Sequence, residues 1–383
     1  MGSHNLHWEG APRSLLEIAV GLKAGAHLNI EILAPCNGPL RAHYEDDGIS
    51  VTIKELAGCS NVVQGWPSRE RYVAAKREIE HVLNRMRPDV VIANTLHSFY
   101  LVDAATRAGI PAIWIIRESY SMEAMRRVIS DFALDDCLRA FQNACCVVFV
   151  SAQTRSLFET PDMRGNFVTL PKALPTREFD EYCARVDIAH ARAIIEEYSN
   201  RKIILTLGTV CERKDQATLV RAVALLHKQR HDFCCYIVGV REELAYAKEI
   251  RELASELGVE NAIRFIPEID DVKPYLRAAD IFVLTSHMES SSRVLSEAQT
   301  SILPIITTPC EGAHEIVREN LNALFFPVSD APTLATHLEI LLDDDAKRAR
   351  MATASRATSE TMLSYDDMIA RYRSLVWDTW INN

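Results

Sequence analysis

Short apolar runs alternate with amphipathic stretches along the whole of this 383-residue sequence. Apolar runs of this kind are typical of strands buried on both faces of a sheet, and amphipathic stretches are typical of the helices that cover them. The alternation constrains the fold strongly, because it places helices on both faces of a parallel sheet. We therefore expect an α/β protein with doubly wound sheets, whose ligands bind at the carboxyl ends of the strands.

The same pattern occurs twice, and a polar segment at residues 171–200 separates the two copies. A chain of this length is too long for one ordinary core, which favours two domains. We predict an N-terminal domain at residues 1–172, a C-terminal domain at residues 173–358 and a final helix within residues 359–383. The longest helix of the first half is predicted at residues 122–143.

The beginning of the sequence departs from this pattern. A doubly wound domain normally opens with a buried strand before its first glycine turn, yet Gly10 arrives almost at once. We expect that a strand before His4 is missing, either because it was cut away or because the chain is a fragment of a longer polypeptide. The N-terminal sheet would then lack one strand, in a central position.

Charge and composition exclude several classes of protein. The net charge is −10, from 42 basic and 52 acidic side chains, which argues against a nucleic-acid partner. No apolar run is long enough to span a bilayer, and the first residues lack the pattern of a signal peptide. The ten cysteines include no CxxC motif, which favours small buried thiols in a reducing compartment. We therefore predict a cytoplasmic protein.

The sequence disfavours two kinds of cofactor. His4, His7 and His97 do not have the spacing of metal ligands, and a lone histidine in a polar loop seldom binds a metal. The GxGxxG fingerprint of nicotinamide-dependent enzymes is absent. Gly10 and Pro12 do stand near a helix start, where a tight turn can direct backbone N–H groups toward an anion, although the pattern is weak alone.

The segment at residues 207–215 ends a strand at Gly208 and places two adjacent cations, Arg213 and Lys214, before a helix. The amino end of a helix offers free N–H groups and partial positive charge. Arg213 can bind two phosphate oxygens at once, and Lys214 can act as a point charge. The pattern indicates a diphosphate site. For this motif alone, a solvated Arg–Lys pair is the favoured alternative.

A later strand is followed by a serine-rich turn with carboxylates at Glu289 and Glu297. Ser291 or Ser292 is predicted to be the N-cap of the helix that follows. Eight positions along a helix return to nearly the same face, so that both carboxylates can face one ligand. Carboxylate oxygens suit the hydroxyls of a sugar and the diol of a ribose. An ordinary exposed acidic pair is the alternative.

Together these segments resemble the GT-B glycosyltransferases of retaining family 4, also called glycosyl transferases group 1. Glu289 and Glu297 match the family's E-x7-E motif, the segment from Gly208 to Lys214 matches its donor-phosphate loop, and the segment from Gly10 is similar to its N-terminal glycine turn. The resemblance covers nearly the whole chain. It implies two Rossmann-like domains facing each other across a cleft, with the last helix crossing back to the first domain.

The resemblance also implies a role for each matching residue. Glu289 would contact the donor sugar, and Glu297 would bind the ribose. The adjacent cations would neutralise the departing diphosphate, and Gly10 would bring a backbone amide close to the distal phosphate. Anomeric configuration would be retained, and no metal ion or other cofactor is implied. The predicted donor site consists of Gly10, Gly208, Arg213, Lys214, Glu289, Ser291, Ser292 and Glu297.

Two features depart from the family pattern. Ser291 and Ser292 stand where many relatives carry an aromatic residue and a glycine or proline. After the strand at residues 113–116, where relatives often present a histidine near the acceptor, this chain has Arg117 and Glu118. We predict that these two residues lie on the acceptor side, with a structural salt bridge as the alternative.

The predicted function is transfer of a sugar from a UDP- or GDP-sugar to a hydroxyl acceptor, which the resemblance makes a glycan or a lipid-linked precursor of surface polysaccharide. Association with the inner membrane face is kept open, because the helix at residues 68–86 carries Lys76, Arg77 and Arg85. Interleaved acidic residues favour a solvated face there. The alternatives are a GT-B sugar-nucleotide epimerase and a non-catalytic nucleotide-sugar-binding module of a larger assembly protein. The sequence does not indicate the oligomeric state.

Overall fold

The structure, a computed structural model, describes residues 1–26, 28–56, 66–159 and 166–382. The chain divides into two compact units, one of Met1–Lys172 with Tyr365–Asn383 and the other of Ala173–Ser364. The sequence places the first boundary at the same point. The final segment belongs to the first unit from Tyr365 onward, rather than from residue 359, because the preceding helix continues to Glu360 in the second unit.

The first unit consists of parallel strands with helices between them. Its strands are β1 (Glu31–Ala34), β2 (Ser50–Ile53), β3 (Val91–Asn94), β4 (Ala112–Ile116), β5 (Cys146–Phe149) and β6 (Phe167–Thr169). Its helices are α1 (Gly10–Ala26), α2 (Leu40–Asp46), α3 (Arg69–Met86), α4 (Phe99–Arg107), α5 (Met122–Val128), α6 (Asp131–Asn143) and α7 (Ala152–Phe158).

Residues 1–3 lie between β1 and β3. Gly2 pairs in parallel with Leu33 on one side and with Ala93 on the other, and its N–H donates to Ile92 O at 2.8 Å. The sheet therefore runs β2–β1–residues 1–3–β3–β4–β5–β6, with all pairs parallel. The sequence predicts a missing central strand, whereas the structure places a short extended segment at that position. The segment escapes sequence reasoning because three residues are too few to show a strand pattern.

One predicted helix is divided in two. The sequence pattern predicts a single helix at residues 122–143, but the backbone is extended at Ile129 and Ser130, which separate α5 from α6. No glycine or proline marks this break. Ile129 is buried in the core of the first unit, so tertiary packing supplies the reason for the interruption.

Lys76 of α3 is buried against α4 and α6. Its ammonium pairs with Asp103 at 2.9 Å and with Asp136, which also accepts a hydrogen bond from the Tyr72 hydroxyl at 2.7 Å. A buried ammonium requires such partners, because an unpaired one is strongly destabilising. Lys76 is therefore not part of a basic outer face, whereas Arg77 and the other arginines of this helix are exposed.

The second unit contains one six-stranded parallel sheet. Its strands are β7 (Lys202–Leu207), β8 (Phe233–Val240), β9 (Ile263–Pro267), β10 (Ile281–Leu284), β11 (Ile305–Thr307) and β12 (Ala323–Phe325). Its helices are α8 (Arg177–Arg185), α9 (Ile188–Ile194), α10 (Gln216–His227), α11 (Ala245–Glu256), α12 (Lys273–Ala278), α13 (Arg293–Thr300), α14 (Ala313–Ile316), α15 (Ala331–Asp343) and α16 (Asp345–Glu360).

The strand order of this sheet is β12–β11–β10–β7–β8–β9. From β7 the chain adds β8 and β9 on one side, and then continues with β10, β11 and β12 on the other side. The direction of winding therefore reverses between β7 and β10, which lie side by side in the middle of the sheet. At such a reversal the loops at the carboxyl ends of two adjacent strands diverge, and ligands of doubly wound sheets bind there. The loops after β7 and β10 contain Arg213, Lys214 and Glu289, so the topology places the predicted donor residues at this point.

The chain returns to the first unit in its last helix, α17 (Tyr365–Ile381). The Tyr365 hydroxyl donates to Glu17 O of α1 at 2.7 Å, and Ile369 packs on Gly21, where any larger residue would overlap it. Among the described residues, the structure contains no helix with the length and apolar character needed to cross a membrane.

Candidate active site

The loops after β7 and β10 are joined through backbone carbonyl groups. The first loop contains a 3-10 turn at Glu212–Lys214. Thr285 Oγ1 donates to Lys214 O at 2.6 Å, and the His287 N–H donates to Arg213 O at 2.9 Å. The backbone of both cations is thereby fixed to the neighbouring loop, independently of what their side chains bind.

Arg213, Lys214 and Glu289 form one cluster. Glu289 Oε1 lies 2.5 Å from Lys214 Nζ and 3.0 Å from Arg213 Nη1. Arg213 also donates to Met288 O at 2.9 Å. The side chains of Glu289 and Lys214 are only 12% exposed, whereas that of Arg213 is half exposed. Three residues that the sequence assigns to the donor site are thus in direct contact.

The electrostatics of this cluster keep Glu289 ionised. Burial alone would raise the pKa of its carboxyl, because it disfavours the charged form. The charges of Lys214 and Arg213 and the hydrogen bonds that they donate outweigh burial and lower the pKa to about 2. At neutral pH a carboxylate therefore holds both cations. An anionic ligand that reaches this site must compete with Glu289 for them.

Gly208 brings the first loop close to Lys214. Its φ is +122°, and it lies against Gly239, whose φ is +113°. A side chain at Gly239 would overlap Gly208 O, and one at Gly208 would lie 3.7 Å from Lys214 Nζ. Both positions favour glycine, because other residues rarely adopt such a φ. The backbone of the predicted donor residue Gly208 therefore lies beside the Lys214 ammonium.

Asp215 connects three segments around the start of α10. Its Oδ2 accepts hydrogen bonds from Thr218 Oγ1 at 2.7 Å and from Ser329 Oγ at 2.9 Å, and it lies 3.0 Å from His287 Nε2. The residue is buried and has a left-handed backbone, with φ +47°. Sequence reasoning read Asp215 only as part of the helix start. Its distant partners could not be read from the sequence, because they come together only in the fold.

Glu297 lies on α13 and pairs with Arg293, with 2.7 Å between Glu297 Oε1 and Arg293 Nε. Glu289 pairs with the cations of the β7 loop instead. The two carboxylates of the motif therefore belong to separate ion pairs in the ligand-free protein. That one ligand contacts both of them stays a prediction.

Ser292 occupies the predicted N-cap position of α13, but its side chain makes no cap hydrogen bond. Its buried Oγ has no hydrogen-bond partner within the described ranges, and the same holds for Ser286 Oγ after β10. Buried hydroxyls are normally satisfied. These two can donate to the oxygen atoms of a ligand. Ser291, the other predicted cap, lies just before this position and is partly buried.

Gly10 lies in the first unit and opens α1. The sequence pattern predicts this first helix at residues 14–23, so that α1 begins four residues earlier than predicted. The residue is exposed, and a Cβ added to it would meet no described atom within 4 Å. The N–H groups of a first helical turn have no partner inside the helix. Gly10 therefore offers an accessible amide, and its contact with a phosphate stays a prediction.

Arg117 and Glu118 follow β4 and join it to the end of β3. Arg117 Nε donates to Asn94 Oδ1 at 2.6 Å. Glu118 Oε2 accepts from the Leu96 N–H at 2.7 Å and from the Arg117 N–H at 3.0 Å. These bonds give both residues a structural role in the first unit. Contact of either one with an acceptor stays a prediction.

Two histidines that the sequence led us to discount are buried at these strand ends. Burial lowers the pKa of His97, against the opposing charge of Glu118, so its imidazole is neutral at neutral pH. His97 Nε2 and His4 Nδ1 are buried without a hydrogen-bond partner in the described part of the chain. The neighbouring Thr95 has a φ of +82°, and strain of this kind clusters at functional sites. No spacing in the sequence predicts this burial.

The described residues contain no group of three or more His, Cys, Asp or Glu side chains that could hold a metal ion. The nine cysteines among them are free thiols. Beside Glu289, positive charge is carried by the side chains of Arg213 and Lys214.

Solved structures similar to this chain share one architecture. The crystal structure of HepE from Anabaena in complex with UDP-glucose has a TM-score of 0.81 and 18% identity, covering 100% of this chain and 98% of that one. WaaG, described as a glycosyltransferase involved in lipopolysaccharide biosynthesis, has a TM-score of 0.75 and 18% identity, covering 98% of each chain. The chain thus has the GT-B fold, an α/β class built from Rossmann-like domains.

Two family models match the sequence. Residues 187–358 match the model described as glycosyl transferases group 1, and residues 9–171 match the model described as glycosyl transferase 4-like domain. Together they leave unmatched only residues 1–8, 172–186 and 359–383. The chain belongs to the group 1 glycosyltransferases, and it is a glycosyltransferase.

Curated relatives carry related names. The lipopolysaccharide core biosynthesis glycosyltransferase LpsE of Rhizobium meliloti is 25% identical over 304 residues, which cover 78% of each chain. A D-inositol 3-phosphate glycosyltransferase of Corynebacterium aurimucosum is 26% identical over 341 residues, which cover 82% of this chain and 80% of the relative.

Proposed function

We propose that this chain transfers a sugar from a UDP- or GDP-sugar to a hydroxyl acceptor, with retention of anomeric configuration. The observation that carries the proposal is the contact of Lys214 and Arg213 with Glu289 at the reversal point of the second sheet. Two cations suit a diphosphate, and a carboxylate beside them suits the hydroxyls of the attached sugar.

In this proposal the incoming diphosphate takes both cations from Glu289. The carboxylate, freed from its ion pairs, then accepts hydrogen bonds from the donor sugar. As the bond between sugar and phosphate breaks, negative charge grows on the leaving phosphate, and Lys214 and Arg213 stabilise that charge. The leaving phosphate accepts the proton of the attacking hydroxyl on the same face of the sugar, which retains the configuration. No metal ion is needed, because the two side chains supply the positive charge.

The remaining predicted residues complete the donor site. Glu297, carried by α13, binds the ribose diol. The Ser292 hydroxyl at the start of that helix, which has no partner among the described residues, donates to a phosphate oxygen. Ser291 in the loop after β10 and the Gly208 backbone in the loop after β7 also line the donor site in this proposal. Gly10 offers its amide to the distal phosphate.

The acceptor is a glycan or a lipid-linked precursor of surface polysaccharide, bound on the side of Arg117 and Glu118. Support comes from the names of relatives, since LpsE and WaaG both refer to lipopolysaccharide biosynthesis. We propose a cytoplasmic enzyme that meets a lipid-linked acceptor at the inner membrane face. The buried His97, whose Nε2 is unpartnered in the described structure, is a further candidate to bind the acceptor hydroxyl.

Calorimetry with UDP, GDP, UDP-glucose and GDP-mannose, followed by transfer assays with the bound donor and a panel of neutral glycans and lipid-linked sugars, tests the proposal. We expect one nucleotide series to bind and nuclear magnetic resonance to show a product with the donor's anomeric configuration. Clean formation of an epimer without acceptor would instead indicate an epimerase. Donor binding with neither hydrolysis nor transfer would indicate a binding module.

A further inference from the structure

The turn after β11 presses on the loop that carries Glu289. The Gly312 N–H donates to Glu289 O at 2.8 Å. A Cβ at Gly312 would overlap Ser290 O, so the two backbones are in direct contact there. The residue before this glycine is Glu311, which neither the sequence motifs nor the proposed donor site includes.

Glu311 has a buried oxygen that nothing in the described structure satisfies. Its Oε2 is inaccessible to solvent and has no hydrogen-bond partner among the described residues. A buried carboxylate oxygen without a donor is costly, and native proteins rarely leave one so. The two cations of the neighbouring cluster, Lys214 and Arg213, are both engaged by Glu289 Oε1. A donor group from outside the chain would satisfy it.

The thiol of Cys310 shows that Glu311 belongs to the same electrostatic environment. Burial, first of all, raises the pKa of Cys310 to about 12, and the negative charges of Glu289 and Glu311 act in the same direction. The charge of Lys214 acts in the opposite direction. One buried sulfur therefore lies within reach of both carboxylates and of the lysine.

Charge determines which ligand group fits Glu311. With Glu289, Glu311, Lys214 and Arg213 all ionised, the cluster is neutral, and a diphosphate that binds the two cations leaves two carboxylates beside it. A second anionic group would be repelled by that pair. Hydroxyl groups donate to carboxylates without adding charge. The group that follows a diphosphate in a nucleotide sugar is such a neutral, hydroxyl-rich ring.

We propose that Glu311 is a second donor-sugar ligand, which accepts a hydrogen bond from a hydroxyl of the transferred sugar next to Glu289 and selects against sugars that carry a carboxylate. This inference rests on the proposed function. It adds a specificity-determining residue to the donor site.

The test compares the affinity for a free nucleotide with the affinity for the corresponding nucleotide sugar. Isothermal titration calorimetry would measure the binding of UDP, UDP-glucose and UDP-glucuronic acid to wild type, to E311Q and to the control E319Q. If the guanine series binds instead, GDP and GDP-mannose are used. Glu319 is an exposed acid that follows in the same segment. We expect E311Q to lower affinity for UDP-glucose about tenfold, the value of a hydrogen bond to a charged group, and to leave UDP unchanged. UDP-glucuronic acid should bind E311Q better than wild type.

Three results would overturn the inference. The first is equal affinity of wild type and E311Q for UDP-glucose, and the second is an equal loss for UDP and UDP-glucose. The third is a lower melting temperature for ligand-free E311Q, which would mean that Glu311 holds the turn through partners of its own. If the Glu311 carboxylate has no partner in the described structure, removal of its charge should leave the melting temperature of E311Q equal to that of wild type or raise it. If no nucleotide binds the wild type, the proposed function itself fails, and that result is distinct from all three.

Discussion

Lys214 and Glu289 form a nearly buried ion pair, with Nζ 2.5 Å from Oε1, and Arg213 reaches the same oxygen at 3.0 Å. The carboxylate that is expected to bind the donor sugar therefore neutralises the cations that are expected to bind the diphosphate. In the proposed mechanism, donor binding is an exchange of partners. The free energy of the broken ion pairs would be offset by the new contacts of both the phosphates and the sugar.

Glu289→Gln should separate nucleotide binding from transfer. Without a carboxylate to displace, UDP or GDP should bind as tightly as to wild type or more tightly. Transfer should fall about 100-fold or more, the scale seen when one transition-state contact is removed. Calorimetry with the free nucleotide and a steady-state transfer assay measure the two effects. A matching loss of nucleotide affinity would show that Glu289 does not compete for the cations.

Lys214→Met should weaken binding of the free nucleotide about 10- to 100-fold, because the variant loses a charged phosphate ligand while keeping an unbranched side chain only one atom shorter. The control is Lys248→Met, since Lys248 is highly exposed and pairs with Glu252 one helical turn away. Calorimetry with UDP and GDP measures both variants. Equal affinity of Lys214→Met and wild type would remove Lys214 from the phosphate site.

Glu297→Gln should weaken the binding of UDP or GDP about tenfold but leave the binding of inorganic pyrophosphate unaffected, because pyrophosphate has no ribose. Glu252→Gln is a matched control, since Glu252 also forms an i,i+4 pair with a basic residue on a helix. Competition binding with both ligands measures the difference. Loss of pyrophosphate affinity as well would show that Glu297 maintains the structure of the loop rather than binding the ribose.

The Glu289 ion pairs should make stability depend on acid pH. The pKa of Glu289 is lowered from 4.5 to about 2 in the folded protein, so the unfolded chain binds the proton more readily. The stabilisation is thus complete above about pH 4.5 and is lost as the pH falls toward 2. Urea unfolding should show wild type more stable than Glu289→Gln at neutral pH, by on the order of 3 kcal/mol, with the difference vanishing near pH 2. A difference independent of pH would contradict the assignment.

Gly10→Ala should leave folding intact and weaken donor binding. A methyl group there meets no described atom within 4 Å, and alanine favours helices over glycine, so the melting temperature should be equal or higher. The methyl group would stand beside the amide that is proposed to approach the distal phosphate. Thermal unfolding and donor KM measure the two effects. An unchanged KM would exclude close approach of a phosphate to Gly10.

Much of the fold follows from local pattern. The sequence pattern predicts a strand at residues 281–284 and a helix at residues 293–300, and these are the bounds of β10 and α13. An apolar run, a serine-rich turn and an amphipathic stretch mark them clearly. The break at Ile129 and the segment at residues 1–3 were missed. One depends on packing in the core, and the other is too short to have a periodicity of its own.

The site was predictable as a set of residues but not as a set of contacts. Motif spacing identifies Arg213, Lys214 and Glu289 separately, whereas their mutual ion pairs arise from the order of strands in the sheet. Burial is likewise a property of the fold. For this reason the buried atoms of His97 and Glu311 that lack a partner in the described part of the chain could not be anticipated from the sequence.

The hydrogen bond from the Gly312 amide to Glu289 O couples two turns of the second unit through main-chain atoms alone. Because this bond uses main-chain atoms only, a change of the neighbouring Glu311 side chain leaves both of its partners in place. If Glu311 binds the donor sugar as proposed, substitutions at this position would change which sugar is accepted while Arg213 and Lys214 on the β7 loop are left intact. The proposed donor site would then be divided into a part that sustains the chemistry and a part in which new specificity can evolve.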